Sequence, residues 1–214
     1  MKKGILFDLD GTLLDTLADL HRCTNHVLAL YGCPPRSLAE IRRFVGNGAR
    51  RLLEQSLPGL DSDPDLDQVL ETYQDYYNRN CQGATCPYPG VLEVLSQLRE
   101  EYPIAIVSNK PHASVVTLCR EFFGDVYALG VQPNCPRKPQ PDMLRKAMAA
   151  IGVDSCIYVG DSEVDVLTAQ NTGVPCLSVL WGFRDREDLL QAGAVHFCEK
   201  TEDLLPALRT LLET

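Results

Sequence analysis

Asp8 and Asp10 stand two positions apart where the apolar run Ile5-Leu6-Phe7 of ILFDLDGTLLDT stops. In an extended backbone residues i and i+2 point the same way, so the two carboxylates converge. Placing like charges at a buried strand end is costly unless something positive lies between them. Three more stretches share this character. Ser108-Asn109-Lys110 follows the apolar run 104–107, Arg137-Lys138-Pro139 follows 126–130, and Gly160-Asp161 follows 156–159, with Asp165 four residues further on. Asp161 and Asp165 share one face at a helix start, where the helix dipole favours negative charge. Carboxylates gathered in this way make a hard, oxygen-rich site suited to Mg2+.

Each stretch also has an ordinary reading. The segment from Asp8 to Thr12 fits a turn closed by an aspartate side chain, Gly160-Asp161-Ser162 a helix cap, Ser108-Asn109 turn residues, and Lys138 a solvated lysine. Their convergence separates them from such features, because all four lie at strand ends of one sheet, where ligands of open α/β folds bind.

That sheet is read from apolar runs at 4–7, 104–107, 126–130, 156–159 and 176–179, which lack alternation and so suit parallel strands buried on both faces. Helical patterns lie between and after them at 91–100, 113–123, 141–151, 163–171 and 202–212. The spacing predicts a doubly wound, Rossmann-like α/β core. One interval breaks the rhythm. Helical patterns near 16–30, 37–44, 48–56 and 65–79 are separated by turns at Gly32-Cys33-Pro34-Pro35 and Leu57-Pro58-Gly59, with no convincing strand before the PYPGV turn at 87–91. The expected division is a core of residues 1–15 and 86–214 with a helical cap, 16–85, inserted after the first strand.

The 214 residues suffice for such a core and insert, and 45% hydrophobic with 23% charged residues is an ordinary globular balance. A net charge of −9 without any basic block argues against nucleic acid or an anionic membrane as partner. No apolar stretch approaches a membrane span and the N-terminus lacks a signal-peptide pattern, so a cytoplasmic protein is expected. Nine cysteines, an odd number with no CxxC pair, read as reduced structural thiols.

The sequence DLDGT, a Ser closing the next core strand, a Lys before a Pro, and GDxxxD, in that order, resemble the haloacid dehalogenase superfamily. The insert is similar to the helical cap of its phosphoglycolate phosphatase-like members, as are Val45-Gly46-Asn47-Gly48-Ala49, Ser108-Asn109-Lys110-Pro111 and Trp181-Gly182-Phe183-Arg184. The resemblance implies Mg2+-dependent phosphomonoester hydrolysis through an aspartyl-phosphate. Asp8 would be the nucleophile and Asp10 the acid and then the base. The Asp8 carboxylate, the Asp10 carbonyl and Asp161 would hold the metal, with Asp165 behind them fixing Lys138 or a metal-bound water. Ser108, the Asn109 amide, the amides around Leu9 and Gly11, and Lys138 would hold the phosphoryl oxygens.

The implied partner is a small phosphorylated metabolite, handled by a monomer or a homodimer, and 2-phosphoglycolate is the expected substrate. Pyrophosphate, a nucleoside monophosphate or a sugar phosphate are alternatives, as is a β-phosphoglucomutase-like mutase. A non-catalytic binding protein is disfavoured because no expected group is missing. Residues 16–85 contain no lysine, which counts against phosphonoacetaldehyde hydrolase and the mutase, both expected to use a cap lysine. The polar turn Gly46-Asn47-Gly48-Ala49-Arg50-Arg51 opens a helix and could take a substrate carboxylate, with Arg50 the preferred contact. Gln170-Asn171-Thr172-Gly173 departs from the small residues more usual after GDxxxD, a change in helix packing and not in chemistry.

Overall fold

The run that ends at Asp8 forms the central strand β1 (Lys3–Phe7) of a six-stranded parallel sheet in a computed structural model that describes residues 2–57 and 65–213. The other strands are β4 (Ile104–Pro111), β5 (Tyr127–Val131), β6 (Ser155–Gly160), β7 (Cys176–Val179) and β8 (His196–Cys198), in the order β5-β4-β1-β6-β7-β8. Alternate side chains enter opposite faces. Ile5, Phe7, Ile104, Ile106, Ile157 and Val159 pack on one side, Leu6, Ala105, Val107, Cys156 and Tyr158 on the other. This is why the runs show no polar alternation.

The first face is covered by α5 (Val91–Glu101), α6 (His112–Phe123) and α10 (Leu204–Glu213), and the second by α7 (Asp142–Ile151) and α8 (Glu163–Thr172). A short helix, α9 (Arg186–Gln191), and the edge strand β8 were not legible in the sequence, because six and three residues carry too little periodicity. No helix among the described residues is long and apolar enough to cross a membrane.

The chain leaves the core through β2 (Leu14–Asp15) and returns through β3 (Cys86–Pro87), which pair antiparallel, Leu14 with Pro87 and Asp15 with Cys86. Between them stand α1 (Leu17–Leu30), α2 (Leu38–Phe44), α3 (Gly48–Ser56) and α4 (Leu66–Asn80). The Pro58-Gly59 part of the expected turn lies outside the described residues. Ser37 starts α2 with a capping box, its hydroxyl accepting from Glu40 N while Glu40 accepts from Ser37 N at 2.8 Å. Apolar residues of this insertion, including Leu20, Val27, Ile41, Leu53 and Val69, belong to the same cluster as the first face of the sheet.

The neck of the insertion is clamped by Asp19, which is fully buried. Its Oδ2 accepts from Ala84 N (2.9 Å), Thr85 N (2.8 Å) and Thr85 Oγ1 (2.9 Å), and its Oδ1 pairs with Arg22 at 2.7 Å. Burial alone would raise this carboxyl, but the hydrogen bonds outweigh it and hold it below the usual carboxylate range. Replacing it strands buried donors, so Asp19→Ala should lower unfolding stability by about 1–3 kcal/mol at neutral pH. A carboxylate depressed in the folded state stabilises above its unfolded pKa and loses that contribution as pH falls through its folded pKa. The gap between parent and variant urea midpoints should therefore narrow on acidification; a gap unchanged down to the acid limit of folding would refute the clamp.

Candidate active site

Strand register brings the charged residues together. Phe7 aligns with Ile106 on one side and Val159 on the other, so Asp8, Ser108 and Asp161 emerge at one edge, beyond the carboxyl ends of β1, β4 and β6. The ladder between β4 and β5 is irregular there: Val107 pairs with Leu129 and Pro111 with Val131, four residues against two. This bulge re-aims side chains, and Ser108, Asn109 and Lys110 all line one cavity, which strict alternation would forbid. Asp8, Asp10, Lys138 and Asp161 line it too.

At its floor Lys138 Nζ lies 2.8 Å from Asp8 Oδ1, 2.8 Å from Asp165 Oδ1 and 2.8 Å from the Tyr158 hydroxyl. Nζ donates to Asp165 and Tyr158 and pairs by charge with Asp8, whose Oδ1 accepts no hydrogen bond among the described residues, and Lys138 is 2% exposed. Burial would lower this ammonium, but Asp165 and Asp8 outweigh it and hold it above its ordinary range. The Lys138–Pro139 peptide is cis. The second Asp165 oxygen accepts from Ser162 N (3.1 Å) and Ser162 Oγ (2.6 Å), so one carboxylate both caps α8 and fixes the lysine.

Asp161 is balanced differently. Thr12 Oγ1 donates to its Oδ1 at 3.1 Å and Phe183 N to its Oδ2 at 2.7 Å, and no ion pair to it occurs among the described residues. Burial, then the Asp165 charge, push it up to about 7. Asp8 is likewise raised, first by burial, with Lys138 opposing. Oxygens of Asp8, Asp161 and Asp165 lie within 4.8 Å of one another. Three buried carboxylates against one lysine leave negative charge in excess, and the all-oxygen donor set fits a hard divalent cation. Asp165, already accepting four hydrogen bonds, is the least able of the three to turn toward one. The Asp10 carboxylate turns away, toward Lys110 Nζ (2.8 Å) and Ser108 Oγ (3.4 Å).

Close backbone approach shapes the Asp161 pocket. Gly11 has φ +81°, and a Cβ there would sit 2.3 Å from Asp161 Oδ2. Gly182 crosses Asp161 as closely, and Trp181 Nε1 donates to Thr12 O at 3.0 Å, holding this loop against the first. The Gly11 N–H donates to Leu14 O at 2.9 Å, so it is engaged within its own turn and does not offer the phosphate contact expected of it.

The insertion supplies the roof, with Leu20, Val45, Gly46, Gly48, Ala49, Leu52, Tyr73 and Tyr77. Asn109 ties roof to floor: its Nδ2 donates to Gly46 O (3.1 Å) and Lys138 O (3.0 Å), and its Oδ1 accepts from Lys138 N (2.9 Å). Arg184 secures the same loop, donating to the carbonyls of Arg42 (2.9 Å), Arg43 (3.2 Å) and Val45 (2.8 Å) while its Nε pairs with Glu163 at 2.7 Å. Arg50 is not in the cavity. With α3 beginning at Gly48, the 100° step per residue puts Ala49 and Leu52 on the inner face and turns Arg50 outward to an ion pair with Asp67. Asn47, at the cap of α3, is likewise absent from the lining, and Leu9 packs its side chain into the core.

Sequence reasoning gave no role to Lys110, Tyr77, Tyr158, Thr12 or Arg184. Tyr73 and Tyr77, four apart, carry only the signal of an apolar helix face; Lys110 was visible, but its direction depends on the bulge.

The Haloacid dehalogenase-like hydrolase family matches residues 5–179. A phosphoglycolate phosphatase of Rhodobacter capsulatus is 35% identical over 191 residues, covering 86% of this chain and 87% of the relative. One of Cereibacter sphaeroides is 35% identical over 211 residues, 94% of this chain and 97% of its own length. A provisionally named phosphoglycolate phosphatase from Lactobacillus delbrueckii subsp. bulgaricus shares the fold with a TM-score of 0.88 at 33% identity, covering 97% of this chain and 99% of that one.

If excess charge around Asp161 is what a cation offsets, a divalent ion should raise the melting temperature of chelator-treated protein. Binding at a hundredfold over Kd corresponds to about 2.7 kcal/mol. Asp161→Asn should abolish that response while melting, without metal, no lower than the parent. A variant that still responds fully to the ion would remove Asp161 from the site.

Proposed function

The chain belongs to the haloacid dehalogenase-like hydrolase family, and on that premise we propose that it hydrolyses a small acid phosphate ester, 2-phosphoglycolate, through a phosphorylated Asp8. The observation that carries this reading is the buried pair of Asp8 and Lys138 on the floor of the cavity, with Asp10 beside it and no cation other than Lys138 and Lys110 among the described lining residues. Asp8 attacks phosphorus, the new Oδ–P bond forming as the ester P–O bond breaks, and Asp10 gives its proton to the leaving oxygen. Asp10 then takes a proton from water, which attacks phosphorus and releases inorganic phosphate with Asp8 restored. Lys138, fixed by Asp165 and Tyr158, and the Ser108 hydroxyl face the oxygens on which charge gathers. A divalent cation, Mg2+ by the hardness of the donors, held by the Asp8 carboxylate, the Asp10 carbonyl and Asp161, would offset repulsion between the anionic nucleophile and phosphate.

The helical insertion acts in this reading as a lid that selects substrate and excludes water. The two cations of the lining, Lys110 and Lys138, accord with a small substrate that carries two anionic groups. Nine free cysteines, five of them buried, accord with a reducing, cytoplasmic setting.

Asp8→Asn should fold normally and lose more than ~10³-fold in turnover, because an amide cannot serve as the nucleophile. Phosphate release should be assayed across 2-phosphoglycolate, pyrophosphate, a nucleoside monophosphate and a hexose phosphate. Retention of activity within tenfold would displace Asp8 from its role, and a parent enzyme indifferent to phosphoglycolate would leave a phosphatase of another substrate.

A further inference from the structure

Lys110 is a core lysine that performs none of the steps above, yet it is buried at the boundary between roof and floor. Its Nζ lies 2.8 Å from Asp10 Oδ1 and donates to the Tyr77 hydroxyl at 2.7 Å, and its side chain is 5% exposed. Lys138, the other cation of the lining, donates to Asp165 and Tyr158 and pairs with Asp8, whereas Lys110 donates to Tyr77 alone and pairs with Asp10 among the described residues. The Tyr77 oxygen accepts from Lys110, so its own hydrogen is still to be donated, and the described residues supply it with no acceptor. Burial holds this phenol well above its ordinary range, so it keeps that hydrogen. One N–H and one O–H, on adjoining atoms at one wall of the cavity, match the two oxygens of a carboxylate.

We propose that Lys110 and Tyr77 form the subsite for the substrate's carboxylate, making the enzyme selective for phosphate esters that carry a second anionic group close to the ester oxygen. The inference rests on the phosphatase reading above and replaces Arg50 with residues that face the cavity. Connectivity supports it. Asp10 must meet the ester oxygen to protonate it, and in a two-carbon acid phosphate the carboxylate carbon lies two bonds beyond that oxygen. Lys110, ion-paired with Asp10 itself, stands where such a short substituent ends. The rest of the roof, Leu20, Val45, Leu52 and Tyr73, offers no competing charge. An insertion without lysine is thus compatible with recognition of an anion, because the β4 bulge delivers the ammonium from the core.

The test compares 2-phosphoglycolate with 2-hydroxyethyl phosphate, which differs in having an alcohol for the carboxylate. Specificity constants would be measured for the parent, Lys110→Met, Lys110→Arg and Tyr77→Phe, and equilibrium binding of both esters in the Asp8→Asn background with and without Lys110→Met. The parent should prefer the acid. Lys110→Met should cut that preference at least tenfold, in kcat/KM and in binding alike, as loss of a charge-assisted contact implies. Lys110→Arg should recover most of it, and Tyr77→Phe, which keeps the ring, should lower it about threefold. A fall of equal size for both esters would mean that Lys110 serves Asp10 alone, and would overturn the subsite. A parent that does not hydrolyse phosphoglycolate would overturn the substrate named above. The subsite would then stand if the Asp8→Asn protein binds the acid more tightly in a Lys110-dependent way, and fall if it does not.

Discussion

A single ammonium group, Lys138 Nζ, is the point on which the rest of this structure depends. Burying a lysine is tolerable only when every N–H meets an oxygen and opposite charge lies close. Asp165 and Tyr158 accept from it and Asp8 adds a second opposite charge, and each is fixed by a different element: the first turn of α8, the middle of β6 and the end of β1. The lysine therefore constrains strand register and helix placement together. Its backbone is held in turn by Asn109, which extends the same network to the insertion.

That network is out of electrostatic balance in a way that stability alone does not explain. A core built only to be stable would not keep Asp8, Asp161 and Asp165 within reach of one another around one lysine. The surplus sits at Asp161, wrapped by Thr12, Phe183 and two glycine crossings that leave no room for a Cβ. Such tight packing around an unpaired carboxylate preserves acceptor capacity for a bound cation.

Most of the fold was legible because its strands are buried on both faces and its helices carry strong periodicity. The helices between β2 and β3 could be read from their periodicity, whereas the two-residue strands themselves leave no sequence signal. The strand-end residues were legible as a set because register is shared, so one edge collects what four motifs offer. What stayed hidden depended on local geometry: Lys110 on a bulge, Arg50 on where α3 begins, and the engaged Gly11 amide on the turn that uses it. Tyr158 was hidden for another reason, since a phenol in an apolar run looks like core until its hydroxyl finds a charge.

The grip of Arg184 bears on kinetics. This guanidinium belongs to the core, is paired with Glu163, and reaches three carbonyls at the end of α2 and the loop that roofs the cavity. Lifting the insertion means stripping all three partners within one small displacement, while the Glu163 pair stays intact and keeps the arginine in place to rebind them. If the insertion acts as a lid, its opening would run through the last turn of one short helix and through Arg184, one residue from the Phe183 amide that holds Asp161.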